Sequence, residues 1–440
     1  MPGLLFANDR RGAWPQGYYA ATATPPPPFA PATGAISCDV AVVGGGYTGL
    51  SAALHLAQAG ADVRLLEAHR VGFGASGRNG GQLGSGQRVD QPTLEARLGR
   101  AAARALWAMG EDAKALVHDL IAAHDIDARY RPGILYAEET DGGTRDAHRL
   151  ADHMARHYGY DRLEPLDRAS LRAIVGSRAF RGGVIDHGAG HLHPLRLAFG
   201  LARAAAAAGA VIHEGSHVTR LQPPDRPGGK VRIETAEGAR LSAGHVILAC
   251  NGYLDALVPA VAARVMPINN FILATEPLGD RAAGVLSRPV AVSDSRFVVS
   301  YFRLTEDDRL LFGGGETYGY RFPRDPAAPA RAPMLRIFPQ LADVRIEQAW
   351  GGTLAITRSR LPAFLRPAPG VLSASGYSGH GVGLAVLAGR AMARAVAGDA
   401  RCFDLLARLP AQRFPGGAAL RQPLLVLAMT WFALRDRLGL

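Results

Sequence analysis

One stretch limits what this chain can fold into more than any other: Asp39-Val40-Ala41-Val42-Val43-Gly44-Gly45-Gly46-Tyr47-Thr48-Gly49. Its apolar run reads as a buried parallel strand that opens straight into a glycine turn. A helix with Leu50, Ala53, Leu54, Leu56 and Ala57 on its apolar face follows and stops at Gly60. A second strand, Asp62 to Leu66, closes on Glu67, 18 residues beyond Gly49. Each part has a task in holding a dinucleotide. Gly44 permits the tight turn, Gly46 lets backbone approach a pyrophosphate, and Gly49 lets helix pack on strand. The helix N-terminus offers N–H groups and a positive dipole end to the phosphates. Glu67 accepts from a ribose diol and disfavours a 2′-phosphate.

The 440 residues are enough for two domains with cores of their own. The net charge of +11 is almost wholly arginine, since Lys114 and Lys230 are the only lysines. These charges are scattered and not interleaved with aromatics, which argues against a nucleic-acid partner. Cys38, Cys250 and Cys402 lie far apart without a CxxC, so neither a disulfide framework nor a structural zinc is expected, and a cytoplasmic setting is. The N-terminus shows no basic segment followed by an apolar core, so no signal peptide is expected. The run Leu424 to Leu434 is too short to span a bilayer, but a helix there could touch a membrane peripherally.

Three blocks of alternating strand and helix signals are separated by β-rich material. The expected architecture is α/β with α+β: a Rossmann-like domain on a parallel sheet, interrupted by a β-rich substrate domain. Residues 1–35, with Pro25 to Pro28, read as an extended arm. The nucleotide domain takes 36–110, 188–262 and 350–400; the substrate domain takes 111–187 and 263–349; 401–440 is a C-terminal arm and helix. Strands are expected over 269–275, 297–304, 309–312 and 344–350, with helix signals returning only after Gly381.

Two further motifs carry chemistry. Gly72-Phe73-Gly74-Ala75-Ser76-Gly77-Arg78-Asn79-Gly80-Gly81-Gln82 is a glycine- and amide-rich loop whose N–H groups and small polar side chains suit a pyrophosphate and a ring edge. Tyr377-Ser378-Gly379-His380-Gly381-Val382-Gly383 precedes a helix whose N-terminus would favour negative charge in front of it. Read with Gly188-Ala189-Gly190-His191-Leu192-His193-Pro194, this order resembles the gamma-glutamylputrescine oxidases, flavoproteins of the broader D-amino-acid oxidase, glycine oxidase and sarcosine oxidase group. The likeness runs from about Tyr18 to the Arg435–Gly439 tail.

The resemblance implies FAD, bound without a covalent link, because Arg78-Asn79 stands where some relatives attach flavin through a histidine. Cofactor contacts are expected from Gly44, Gly46, Gly49, Glu67, Ser76, Arg78, Asn79, Gly81, Gln82, Val218, Gly379, Gly381 and Val382. Catalytic or substrate-facing roles fall to Tyr301, Arg303 and His380. Tyr301 and Arg303 share one face of a strand, so one can line the amine site while the other holds a carboxylate. No metal is expected at His191-x-His193, which lacks further ligands at suitable spacing.

Two departures from the wider group bear on substrate. Amino-acid oxidases of this kind hold an α-carboxylate with an arginine soon after a Trp-x-Gly turn. Here Trp350-Gly351-Gly352 is followed by Thr353-Leu354-Ala355-Ile356, with Arg358 and Arg360 only later. The central sheet also lacks the lysine with which some relatives activate oxygen: residues 231–440 contain none. The resemblance therefore implies a primary-amine oxidase of polyamine catabolism, with gamma-glutamylputrescine as substrate, an aldehyde and ammonia as products, and hydrogen peroxide where oxygen is the acceptor. A D-amino-acid or secondary-amine dehydrogenase passing electrons to a quinone is the alternative enzyme. A non-catalytic flavin-binding subunit is the alternative of another class. Oligomeric state is left open.

Overall fold

The structure is a computed structural model; it describes residues 3–224, 226 and 228–417. The helix expected at Leu424 to Leu434 lies outside the described residues.

The glycine turn sits in the middle of a parallel sheet. Ala35–Val43 pairs with Val63–Leu66 on one side and Arg240–Leu248 on the other, all parallel. Val211–His213 and Val371–Ser375 extend the sheet in the same sense. Val40, Ala41 and Val42 are almost wholly buried, as the unbroken apolar run requires of a strand covered on both faces. Helix Tyr47–Gln58 packs beneath it against Gly381–Val396. The two helices cross at Gly389, where a Cβ would lie 2.3 Å from Thr48 O. Val231–Thr235 and Val218–Gln222 add antiparallel strands beside Arg240–Leu248.

A second sheet forms the other half of the molecule. Its strands run in the order Ile346–Ile356, Met266–Thr275, Leu310–Thr317, Tyr301–Leu304, Ala291–Asp294, Arg131–Glu138, Gly182–His191, Gln82–Leu83, and are mostly antiparallel. Its two faces bury different cores. Phe302 and Phe312 point into one with Phe338 and Met334, while Leu311 and the partly buried Tyr301 pack toward the other.

Several expected boundaries move. Those at 187/188 and 349/350 fall inside strands Gly182–His191 and Ile346–Ile356, and that at 110/111 falls inside helix Arg100–Ala123. Gln91–Leu98 and Arg100–Ala123 are two helices broken at Gly99 (φ +82°). Helix Ala328–Ile337 interrupts the segment read as β; Pro329 sits in its tolerant first turn, but Pro333 is inside and hides the helical signal. The N-terminal arm is not loose. Leu4, Tyr18 and Tyr19 are buried, and Trp14 packs edge-on against Phe199. No single helix among the described residues is long and apolar enough to cross a membrane.

Candidate active site

The glycine turn forms one end of a cavity of about 1870 Å³ that runs between the two sheets. Gly44 has φ +110°, and a Cβ there would stand 2.8 Å from Ala249 O. At Gly46 a Cβ would meet Ser76 Oγ at 2.8 Å. Gly49 does not line the cavity; its Cβ would lie 1.9 Å from Gly44 O, so its task is packing. The first bond closing the helix is Leu50 N–H to Gly46 O, 2.9 Å, so the N–H groups ahead of it lack a helical acceptor. Tyr47 N–H donates to Ser76 Oγ at 2.9 Å.

Glu67 is 9% exposed and faces the cavity. Gly45 N–H and His69 N–H donate to its two oxygens at 2.7 and 2.8 Å. Burial nevertheless outweighs these bonds and pushes its carboxyl up to about 7. Val218 is buried in the wall nearby, and Cys250 lines the same end with its thiol directed at Val43 O. Burial pushes that thiol up to about 12, so it is chemically quiet.

In the loop from Gly74 to Gln82, the polar side chains organise backbone as much as they face the cavity. Asn79 Nδ2 donates to Ala75 O and Ser76 O, and Asn79 Oδ1 accepts from Gly81 N–H at 2.7 Å. Gly81 is a turn residue outside the cavity lining: its φ is +76° and a Cβ would sit 2.1 Å from Leu192 O. Gln82 lines the cavity and donates to Val292 O. Arg78 is buried; it donates to Phe73 O and Gly351 O and pairs with Asp9 of the N-terminal arm at 3.0 Å. Its NH2 nitrogen has no protein acceptor among the described residues.

Gly379, His380, Gly381 and Val382 line the cavity at the start of helix Gly381–Val396. Thr48 Oγ1 and Tyr377 Oη, 2.7 Å apart, tie this turn to the first helix. His380 is half-buried, with its ring against the Gly84–Ser85 backbone; its Nε2 is shielded from solvent and has no hydrogen bond within 3.5 Å among the described residues. Burial, helped by Arg88, holds its imidazole down at about 4. The ring packs so closely on Gly84 that a Cβ there would be 2.7 Å from its Cε1.

The second sheet supplies the facing wall. Tyr301 donates its hydroxyl to Asn270 Oδ1 at 2.6 Å, and burial raises its phenol pKa well above the ordinary value. The sheet leaves room for its ring only because Gly313 stands opposite; a Cβ there would be 2.1 Å from the ring. Arg303 corrects an expectation. It shares Tyr301's face but does not line the cavity. Tyr19 of the arm and the Leu192–His193 backbone cover it: Arg303 lies 6.0 Å from the Tyr19 ring and its NH2 donates to Leu192 O at 3.4 Å. Alternation gives the face of a strand, but what lies on that face is decided by segments far away in sequence.

His191 and His193 serve this junction. Thr22 Oγ1 and His193 Nε2 are 3.0 Å apart, His193 Nδ1 accepts from Arg196 N–H, and His191 Nε2 lies 3.1 Å from Pro289 O. Burial first, then the charge of Arg303, holds both imidazoles down at about 3.

The fold also brings to the cavity several residues outside the expected site: Tyr136, Ser85, Asp186, Tyr160, Asn270 and Glu316. Ser85 and Tyr160 both donate to Asp186, at 2.6 and 2.5 Å. Buried Lys114 donates to Ser85 Oγ at 2.6 Å and pairs with Glu111 at 3.0 Å. A lysine therefore does approach this wall, from a helix and not from the central sheet. Asn270, within the apolar strand Met266–Thr275, was the one available signal.

The chain matches the family model described as FAD dependent oxidoreductase over residues 39–395. It is 44% identical over 420 residues to a probable oxidoreductase OrdL of Rhizobium meliloti, covering 96% of this chain and 97% of the relative. It is 42% identical over 424 residues to a gamma-glutamylputrescine oxidoreductase of Escherichia coli, covering 96% and 98%. Among solved structures, glycine oxidase from Geobacillus kaustophilus superposes with a TM-score of 0.67 at 23% identity, over 82% of this chain and 95% of that one. The residues present fit such a cofactor. The Cβ-free approach at Gly46, the open N–H groups of the following helix and the buried Glu67 carboxylate stand along one elongated cavity, as a dinucleotide needs.

Proposed function

Because this chain belongs to the FAD dependent oxidoreductase family, and so is an enzyme that binds FAD and acts on amines, we propose that it oxidises the primary amine of an acylated polyamine, with gamma-glutamylputrescine as the leading substrate. One observation carries this choice. The residues on the strand directly after Trp350 that face the cavity are Gly352, Leu354, Ala355 and Ile356, none of them an arginine; Arg360 reaches the cavity only from the turn beyond that strand, away from the usual carboxylate anchor. A free α-amino acid therefore lacks its usual hold, while an amine whose charges lie far from the reacting carbon does not need one. The name of the 42% identical relative supports the same substrate.

Bound FAD supplies the two-electron acceptor, held without a covalent bond; the quiet Cys250 thiol supports this. Glu67 binds the ribose, and the N–H groups from Gly46 onward take the pyrophosphate. Helix Gly381–Val396 points its positive end into the cavity and stabilises negative charge developing on the cofactor. Neutral His380 lines the cavity beside Gly84 and positions the substrate by contact. Tyr301, fixed by Asn270, forms a rigid wall that limits water. The substrate carbon loses its hydride, and water hydrolyses the imine to an aldehyde and ammonia. With oxygen as acceptor the balance closes on hydrogen peroxide. The three free cysteines support a reducing, cytosolic setting.

Product analysis tests this. Holoenzyme given gamma-glutamylputrescine in air should release aldehyde, ammonia and peroxide in equal amounts. Aldehyde and ammonia without peroxide, appearing only with an added quinone, would replace oxygen as the acceptor.

A further inference from the structure

Two opposite charges share the cavity wall without pairing. Glu316 stands at the end of strand Leu310–Thr317, in register with Asn270 and therefore next to the residue that fixes Tyr301. Tyr318 OH donates to its Oε2 at 3.2 Å, and the other oxygen has no hydrogen bond to the protein among the described residues. Arg360 enters from the turn between strands Ile346–Ile356 and Ala363–Ala368, with a left-handed backbone (φ +61°) unusual for a side chain of this kind. Its guanidinium lies 5.8 Å from the Phe297 ring and makes no ion pair among the described residues. Both residues line the cavity, and each charge acts on the other's ionisation, although burial dominates both.

We infer that Arg360 and Glu316 form a receptor for a zwitterionic α-amino-acid head group carried at the far end of the substrate from the oxidised amine. This rests on the substrate reading above and deepens it. The guanidinium takes the head's carboxylate through two parallel N–H donors, and the Glu316 carboxylate takes its ammonium. Two half-buried opposite charges that both face the cavity and do not pair with each other have the complementarity such a head requires. A plain amine would leave both without a partner, and a simple anion would leave Glu316 facing like charge. The arrangement also gives the distal carboxylate the arginine that Arg303, covered by the arm, does not provide.

Three amines with the same aminobutyl arm separate the charges: gamma-glutamylputrescine carries both, N-glutarylputrescine only the carboxylate, N-acetylputrescine neither. In anaerobic flavin bleaching, Arg360→Gln should raise the half-saturating concentration of the first two by about tenfold or more. N-acetylputrescine should move less than about twofold, since it never reaches the guanidinium. Glu316→Gln should weaken gamma-glutamylputrescine and leave N-glutarylputrescine unchanged or improved. Equal effects of either substitution on all three amines, or none on any, overturn the receptor. Calorimetry with gamma-glutamylbutylamide, which keeps the head but lacks the terminal amine of the aminobutyl arm, tests it independently of that amine's turnover. Wild-type holoenzyme should bind it and Arg360→Gln should not; equal binding by both, or by neither, overturns the inference. Failure of all three amines to bleach the flavin while the butylamide still binds would instead remove the substrate reading and leave the receptor in place.

Discussion

At the scale of single residues, the cofactor end is the best determined. A Cβ at Gly46 already meets Ser76 Oγ at 2.8 Å, and branching would fill the approach to the pyrophosphate. Gly46→Val is expected to purify colourless, whereas Glu67→Ala should stay yellow and bind FAD more weakly by roughly 1.5–3 kcal/mol, the worth of one charge-assisted bond. Absorbance at the flavin band against protein checks both; a fully loaded Gly46→Val protein would show that the site is misplaced. Arg303 makes the opposite kind of prediction. It is buried under Tyr19 and away from the cavity, so Arg303→Met should lower the melting temperature and leave the KM for the acylated amine within about twofold. A tenfold rise in KM at unchanged stability would return Arg303 to the site. These contrasts show what sequence can carry. Gly44, Gly46, Gly49 and Glu67 were legible because their relations are local, set by one turn and one helix. Glu316 and Arg360 were not, because a β register and a turn joining two distant strands bring them together.

At the scale of elements, the site depends on two helix N-termini aimed at one cavity. Helix Tyr47–Gln58 and helix Gly381–Val396 hold each other at Gly389, where backbone of one meets the other without an intervening side chain. Gly389→Val should force them apart, costing about 1–3 kcal/mol and loosening FAD, whereas the same change at exposed Gly398 would test only its left-handed backbone. Thermal melts with and without added FAD read this directly. A Gly389→Val protein with wild-type melting temperature would mean the crossing is looser than described. Both helices were legible from their apolar periodicity and flanking glycines, as was the parallel strand run. Helix Ala328–Ile337 was hidden by its own prolines, and strand Gly182–His191 by glycines and histidines that break an apolar alternation.

At the scale of the whole molecule, buried histidines set the response to acid. His69, His191, His193 and His380 all have imidazoles held down by burial, to about 4, 3, 3 and 4 against an ordinary 6.5. The unfolded chain therefore takes up protons first as pH falls, and stability is lost from about pH 6.5 down to the folded values, by about 1.4 kcal/mol per pH unit for each histidine. Glu67 works in the other sense, since its raised pKa contributes stability that is lost as pH rises from 4.5 toward about 7. Burial raises Glu111, Glu138, Asp294 and Glu316 in the same sense, five carboxylates in all, but it lowers eight histidines among the described residues, so the melting temperature should fall as pH drops from 7 to 5. His191→Gln should flatten that slope, and a melting temperature that rises over the same interval would contradict the burial of these rings.

The presence of two sheets was readable from pattern, because glycine turns and apolar runs mark the parallel one and mixed β segments the other. What lies between the halves was not, since each wall of the cavity is assembled from segments hundreds of residues apart. The claim that most depends on that assembly is the choice of substrate. Anaerobic reduction of the bound flavin, followed at its visible band, measures it most directly: gamma-glutamylputrescine should bleach the holoenzyme faster than D-alanine, glycine or sarcosine, and rapid bleaching by D-alanine with none by gamma-glutamylputrescine would contradict the account.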